Sequence, residues 1–360
     1  MMKRLTNTTA MSVSKISMCL ASLAILLATH IAVQAQPERL FYYVDDQRSF
    51  TILEAHIGDI DVLAPGAFSV DADGIVWGQM DQRVLRLAAE HDVPVMPLIV
   101  NPGFDQEMLS TFLSNDTARR RAIKTMVDKC EQFGLLGLQF DFENLSINDK
   151  DAFSRFFKEA ADALHANGRK ISIAVVHRPD ESPGSTKYLK WLFKNWRAGY
   201  DLDVLGEYAD FISLMTYSQH TRRTTPGPNA SIPWMIKNIQ YFLKHVPPEK
   251  LSLGIAVTSQ HWSTQQDDRY FADARSWSES LSYSEAASLA ERYDAKWNWL
   301  EDQGVAYTFF DNGGVFEWMF LEDARSFRRK LDLVGSYDLR GFSIWVMGYE
   351  DPEIWGAIAR

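Results

Sequence analysis

LLGLQFDFENL, residues 135–145, is the stretch on which the reading of this chain turns. From Gly137 to Glu143 the residues alternate: Leu138, Phe140 and Phe142 are apolar, and Gly137, Gln139, Asp141 and Glu143 stand between them. A period of two belongs to a β-strand, whose side chains point to opposite faces. With helices covering one face, Leu138, Phe140 and Phe142 pack against them while Gln139, Asp141 and Glu143 share the other. Two carboxylates and an amide then project in a row toward the C-terminal end of the strand. The competing reading starts a turn at Asp141 and leaves Glu143 solvated, but stacking acids on an inward face is costly without a purpose.

The same rhythm continues on both sides. Short β-rich runs occur at 40–44, 62–68, 95–100, 136–142, 171–176, 211–216, 251–257 and 341–346. Between them lie amphipathic helical patterns such as 82–91, 118–133, 149–166 and 233–245, with Asp149 a plausible N-cap and Gly168 closing the third. Eight β/α units close most simply into a (β/α)8 TIM barrel of the α/β class. A doubly wound open sheet is the alternative, but Asp45-Asp46-Gln47 stands where a glycine-rich phosphate loop would follow the first strand. One interval breaks the rhythm. About 258–340, between the seventh and eighth strands, reads as an α+β insertion, and its Trp262, Phe316 and Trp318 either wall a cleft or pack the insertion itself.

Composition narrows the partners. Of 360 residues 46% are hydrophobic and 23% charged, which excludes a disordered or fibrous chain. A formal charge of −10 disfavours nucleic acid and anionic membranes, and a neutral substrate fits better. Eleven Trp suit either a sugar-stacking surface or a large core. At the N-terminus Lys3, Arg4 and Lys15 precede the apolar run 16–33, and Val33-Gln34-Ala35 carries small residues at the positions of a cleavage site. This is a secretory signal peptide pattern, so residues 1–35 are expected to be removed and 36–360 to form the exported protein, periplasmic or extracellular. Losing the three positive charges of Lys3, Arg4 and Lys15 takes the formal charge from −10 to −13. Cys19 lies in that segment, and Cys130 alone cannot form an internal bridge, so a sizeable core must stabilise the fold, with Cys130 buried in a helix.

Asp141 and Glu143 approach a substrate from the same side, and their repulsion raises the pKa of one of them, which supplies a proton donor near neutral pH. They do not supply the second carboxylate on the opposite face of a sugar ring that ordinary glycosidases need. Either another strand provides the nucleophile or the substrate does, through a 2-acetamido carbonyl oxygen.

GLQFDFENL (137–145) resembles the fourth-strand signature Asp-x-x-Asp-x-Asp-x-Glu of family 18 glycoside hydrolases. ISLMTYSQH (212–220) is similar to the family's Met-Thr-Tyr-Asp segment. PGPNASIPW (226–234), VPPEKLSLGIAV (246–257), FLEDARS (320–326) and GFSIWVMGYEDPEIW (341–355) look like consecutive segments of the branch of spore-cortex-lytic N-acetylglucosaminidases. The likeness spans nearly all of 40–360. It implies a chitinase-like glycosidase, without metal or organic cofactor, acting on β-linked N-acetylglucosamine-containing oligo- or polysaccharides by substrate-assisted retention, the family being an exception to the two-carboxylate rule. In these roles Glu143 protonates the glycosidic oxygen, Asp141 orients the acetamide and stabilises the oxazolinium charge, and Tyr217 hydrogen-bonds the acetamide carbonyl. Gln139, Met215 and Trp345 complete the substrate site, Trp345 as the floor on which the sugar stacks. Chitin, peptidoglycan and N-glycan cores all fall within that class.

Three positions depart from the family pattern. Leu136 and Gln139 replace its first two Asp residues and Ser218 replaces the Asp after Met-Thr-Tyr. Leu136 is expected to face outward by parity, and Gln139 to hydrogen-bond Asp141 without being able to share a proton. His177, His220 and His261 follow strands five to seven but lack His-Glu-x-x-His spacing, so they read as scattered polar residues and not as metal ligands. Two rivals remain: a non-catalytic glycan-binding protein on the same fold, and a barrel hydrolase with its own nucleophile acting on glycans without the acetamido group.

Overall fold

The computed structural model describes residues 36–263 and 277–359; the expected signal segment 1–35 lies outside them. Fourteen strands are present among these residues. They are β1 (Glu38–Tyr43), β2 (Val62–Val70), β3 (Val76–Gly78), β4 (Leu98–Val100), β5 (Gly137–Asp141), β6 (Lys170–Val176), β7 (Phe211–Met215), β8 (Leu251–Ala256), β9 (Ser259–Ser263), β10 (Trp277–Leu281), β11 (Asn298–Leu300), β12 (Val305–Asn312), β13 (Val315–Leu321) and β14 (Gly341–Trp345). Eight of them run parallel in the order β1-β14-β8-β7-β6-β5-β4-β2, and pairing of β1 with β2 closes the ring. This is the TIM barrel expected from the eight β-rich runs. The third run is regular only from Leu98, since Pro94 and Pro97 lack the N–H a ladder needs, and Val95 keeps a single bridge to Leu63.

The alternation of residues 137–143 sorts side chains into two shells. Phe140 and Phe142 point outward onto the helix Lys150–Ala166, where their rings meet Phe153, Phe156 and Phe157 at centroid distances such as 5.5 Å (Phe140–Phe157) and 5.8 Å (Phe142–Phe156). The inner shell below the mouth holds Leu40, Tyr42, Val62, Ala64, Met96, Leu98 and Phe211. Leu136 packs against this inner cluster and does not face outward, because it precedes the first residue of β5 and the pleat does not govern it. Asp149 occupies the N-cap position of its helix, but its carboxylate accepts from the Ser110 hydroxyl at 3.0 Å and caps nothing. Cys130 is buried in the helix Asp116–Phe133, and burial pushes its thiol up to about 12.

Between β8 and β14 stands the expected insertion. A five-stranded antiparallel sheet, β10-β9-β13-β12-β11, carries the helix Tyr283–Arg292, which opens on a Ser282/Glu285 capping box. The helix Ala324–Ser336 then returns to the barrel wall, with Phe327 against Phe342 of β14 at 6.2 Å. Trp262 is buried in the insertion with Val305 and Phe320, and Trp318 packs beside them. Phe316 stays exposed on the β12–β13 hairpin. Among the described residues no helix is long and apolar enough to cross a membrane.

Candidate active site

A cleft of about 580 Å³ opens at the C-terminal ends of the barrel strands. Asp141 and Glu143 line it from β5 and its exit, Met215 and Tyr217 from β7 and the loop beyond, Trp345 from β14, and Tyr42 from β1. The Tyr42 ring meets the Trp345 indole edge-on at 5.6 Å, and the Trp345–Val346 peptide bond is cis. One wall is aromatic, with Tyr188 and Trp191 from the helix Lys187–Leu192, then Trp196, and Phe104. The insertion adds Gln260 and Ser280; Trp262, Phe316 and Trp318 do not line the cleft.

The strand exit that carries Glu143 is held at every peptide. The Tyr200 hydroxyl donates to the Phe142 carbonyl at 2.7 Å. Asn101, fully buried, grips Glu143 from both sides: its Nδ2 donates to the Glu143 carbonyl at 2.9 Å and its Oδ1 accepts from the Glu143 amide at 3.0 Å. Asn144 turns the chain at φ 55°, donates to the Phe104 carbonyl at 2.9 Å and accepts from Gln106 Nε2 at its own carbonyl at 2.8 Å. Asparagine tolerates this left-handed conformation better than most residues. Glu143 therefore sits beyond the ladder of β5 yet on a backbone as fixed as the strand's.

Burial governs the charges here. It raises the Asp141 carboxyl above the usual carboxylate range, and Asp141 Oδ1 has no hydrogen-bond partner among the described residues. Glu143 keeps some surface open to the cleft but is otherwise enclosed; burial first, and then the charge of Asp141, hold its carboxyl well above the ordinary value. Two adjacent acids without a cation to pair them favour keeping a proton. Tyr217 is likewise raised, by burial and then by Tyr42, Asp141 and Glu143, so its hydroxyl remains a donor.

The sequence profile of glycosyl hydrolases family 18 matches residues 42–350, from the first barrel strand to just past the last. The chain belongs to glycosyl hydrolase family 18. It is 23% identical over 325 residues to an uncharacterised glycosylase of Bacillus subtilis, covering 89% of this chain and 90% of that protein. It is 26% identical over 298 residues to the cortical fragment-lytic enzyme of the same organism, covering 81% of this chain but 65% of that longer protein. In fold it is similar to the chitinase of Chromobacterium violaceum, with a TM-score of 0.79 at 23% identity over 89% of this chain and 98% of that one. It also resembles the Bacillus megaterium spore cortex-lytic enzyme SleL, with a TM-score of 0.78 at 22% identity over 89% and 73% of the two chains.

Within this family 18 barrel, one expected contact is replaced by another. Gln139 is fully buried below the cleft, and its Nε2 donates to the Ser213 hydroxyl at 3.0 Å, not to Asp141. Ser213 continues to Ser343 at 2.9 Å and Ser343 to Ser252 at 2.6 Å, so a polar chain crosses the barrel interior from β5 to β8 beneath the acids. The signal for it lay in the repeated Ser between apolar residues of ISLM, LSLG and FSIW. Asn101 left no such pattern, because its partner is a backbone forty-two residues away. The histidines do not converge. His177 lines the cleft beside Arg197, 2.6 Å from its Nε2, and burial followed by that guanidinium holds it well below its usual pKa. His220 meets the Thr225 carbonyl, and His261 lies in the insertion between Glu279 and Glu317. Among the described residues no group of three or more His, Cys, Asp or Glu is arranged to hold a metal ion.

Proposed function

We propose that this chain is an exported glycosidase that cleaves β-linked N-acetylglucosamine-containing glycans with retention, using the substrate's own acetamide as nucleophile. One observation carries the reading: Asp141 and Glu143 are the only acidic side chains lining the cleft among the described residues, and both come from one strand end. A two-carboxylate mechanism needs its second acid across the sugar ring. Glu143, kept protonated, donates to the departing glycosidic oxygen. The pair holds one proton, on Glu143, so Asp141 is the carboxylate that stabilises the positive charge developing at the anomeric carbon, in a site shielded from water where that stabilisation is strongest. Tyr217, a hydroxyl donor at the same depth, holds the acetamide carbonyl, and Trp345 offers the ring on which the sugar rests. The family membership and the names of the relatives support the glycan class. Removal of residues 1–35 is part of the proposal, and N-terminal sequencing of the mature protein should begin near Gln36.

The mechanism is tested with N-acetylglucosamine oligomers, their de-N-acetylated counterparts, and a thiazoline mimic of the bicyclic intermediate. Competitive inhibition by the thiazoline and a large loss of turnover without the acetamide are expected. A covalent sugar ester trapped on any Asp or Glu, with turnover indifferent to the acetamide, would overturn it.

A further inference from the structure

Acidic overall, the chain nevertheless places two unpaired cations at the mouth of this cleft. Arg222 and Arg223 are exposed and line the cleft; among the described residues they have no acidic partner and are the only Lys or Arg side chains that line it. Their position is built. Thr224 donates its amide to the Thr221 carbonyl at 2.8 Å, and the Thr224 hydroxyl accepts from the Thr221 amide at 3.0 Å, so the two arginines occupy the central positions of a closed β-turn. The base of that loop is tied to the barrel mouth. Asn229 accepts from the Ser218 amide at 2.8 Å through Oδ1 and donates to Thr258 Oγ1 at 3.1 Å, while Gln219 Oε1 accepts from the Ser231 amide at 2.8 Å. Arg223 lies over the Trp191 ring, 5.2 Å from its centroid, on the aromatic wall.

An anionic acceptor gives such a pair stronger hydrogen bonds than a neutral sugar oxygen does. The planar forks of the two arginines match carboxylates in bidentate geometry. We infer that Arg222 and Arg223 form a carboxylate-binding lip, which selects an N-acetylglucosamine glycan bearing acid groups over a neutral one, with Arg223 braced on the Trp191 ring. The inference rests on the cleft being the glycan site described above. Long-range repulsion by the acidic chain would otherwise exclude an anionic polymer, and the lip reverses that field locally.

The carboxylate has two possible sources on a peptidoglycan strand: the lactyl ether of a peptide-stripped strand, or the acid groups of its attached peptides. Both are separated from a neutral chain by measuring binding in the Glu143→Gln protein, which does not depend on turnover. Peptide-stripped strands, peptide-bearing strands and N-acetylglucosamine oligomers of equal length are compared by calorimetry. The ratio of anionic to neutral affinity should fall roughly tenfold when Arg222→Gln and Arg223→Gln are combined, and raising the salt should lower it in the parent but not in the double variant. The strand type that loses affinity identifies the source. Arg222→Lys with Arg223→Lys should recover part of the preference. An unchanged ratio, with both proteins folded by circular dichroism, would overturn the lip. A preference that depends on the arginines in a chain that cleaves none of these glycans would uphold the lip and sink the glycosidase reading instead.

Discussion

Replacing Glu143 by Gln should remove activity and add stability, and the two effects come from the same geometry. The amide keeps the shape of the carboxyl and its place on the backbone clamped by Asn101, but cannot give up a proton. Loss of a general acid costs about 10²–10⁴ in rate, or about 3–5 kcal/mol of transition-state stabilisation. The stability gain follows from the neighbour. Residues i and i+2 on a strand are about 6.6 Å apart, and two full charges at that distance repel by about 2.5 kcal/mol at an effective dielectric of about 20. Since the pair avoids that state by keeping a proton, the figure bounds only the repulsive share of the gain, on the order of 5 °C in Tm for a chain of this length, and relief of the burial cost of the Glu143 carboxylate adds to it. The pH dependence has a definite sign. Both acids are raised in the folded state, so the native protein binds more protons than the unfolded chain once pH exceeds the ordinary carboxyl range, and wild-type stability falls as pH rises through that window. Calorimetric unfolding at pH 4 and pH 8, beside reducing-end release from N-acetylglucosamine oligomers, measures both effects. The variant should be inactive, more stable than wild type at pH 8 and nearly equal to it at pH 4. Wild-type turnover, or the same stability difference at both pH values, would refute the reasoning.

Two further perturbations probe the surroundings of the acids. Asn101→Ala removes both hydrogen bonds to Glu143 and strands a buried amide and carbonyl; a loss of about 2–3 kcal/mol in stability and a 10- to 100-fold drop in kcat with little change in KM are expected, by chemical denaturation and steady-state kinetics. Trp345→Ala removes the aromatic floor and its edge contact with Tyr42, and should raise KM for short oligomers at least tenfold, since stacking on such a ring contributes to binding throughout the reaction.

The parity of residues 137–143 and the recurrence of eight β-rich runs determined the barrel and the inward face of Asp141 and Glu143, because strand alternation is a local property that a sequence displays directly. The same locality explains why Cys130 could be placed in a buried helix from its neighbours. What depends on contacts between distant segments needed the tertiary structure. Asn101 meets Glu143 across forty-two residues, Gln139 turns to Ser213 and not to Asp141 because β7, two strands along the ring, places that hydroxyl within reach in the barrel interior, and Leu136 packs inward because it falls just before the pleat begins. Trp262 and Trp318 went to the core of the insertion, where burial of their rings gains more than a place on the cleft wall would. Arg222 and Arg223 are an unremarkable basic pair in the sequence. Only the turn closed by Thr221 and Thr224, set on the barrel mouth by Asn229, places their charge at the entrance to the acids.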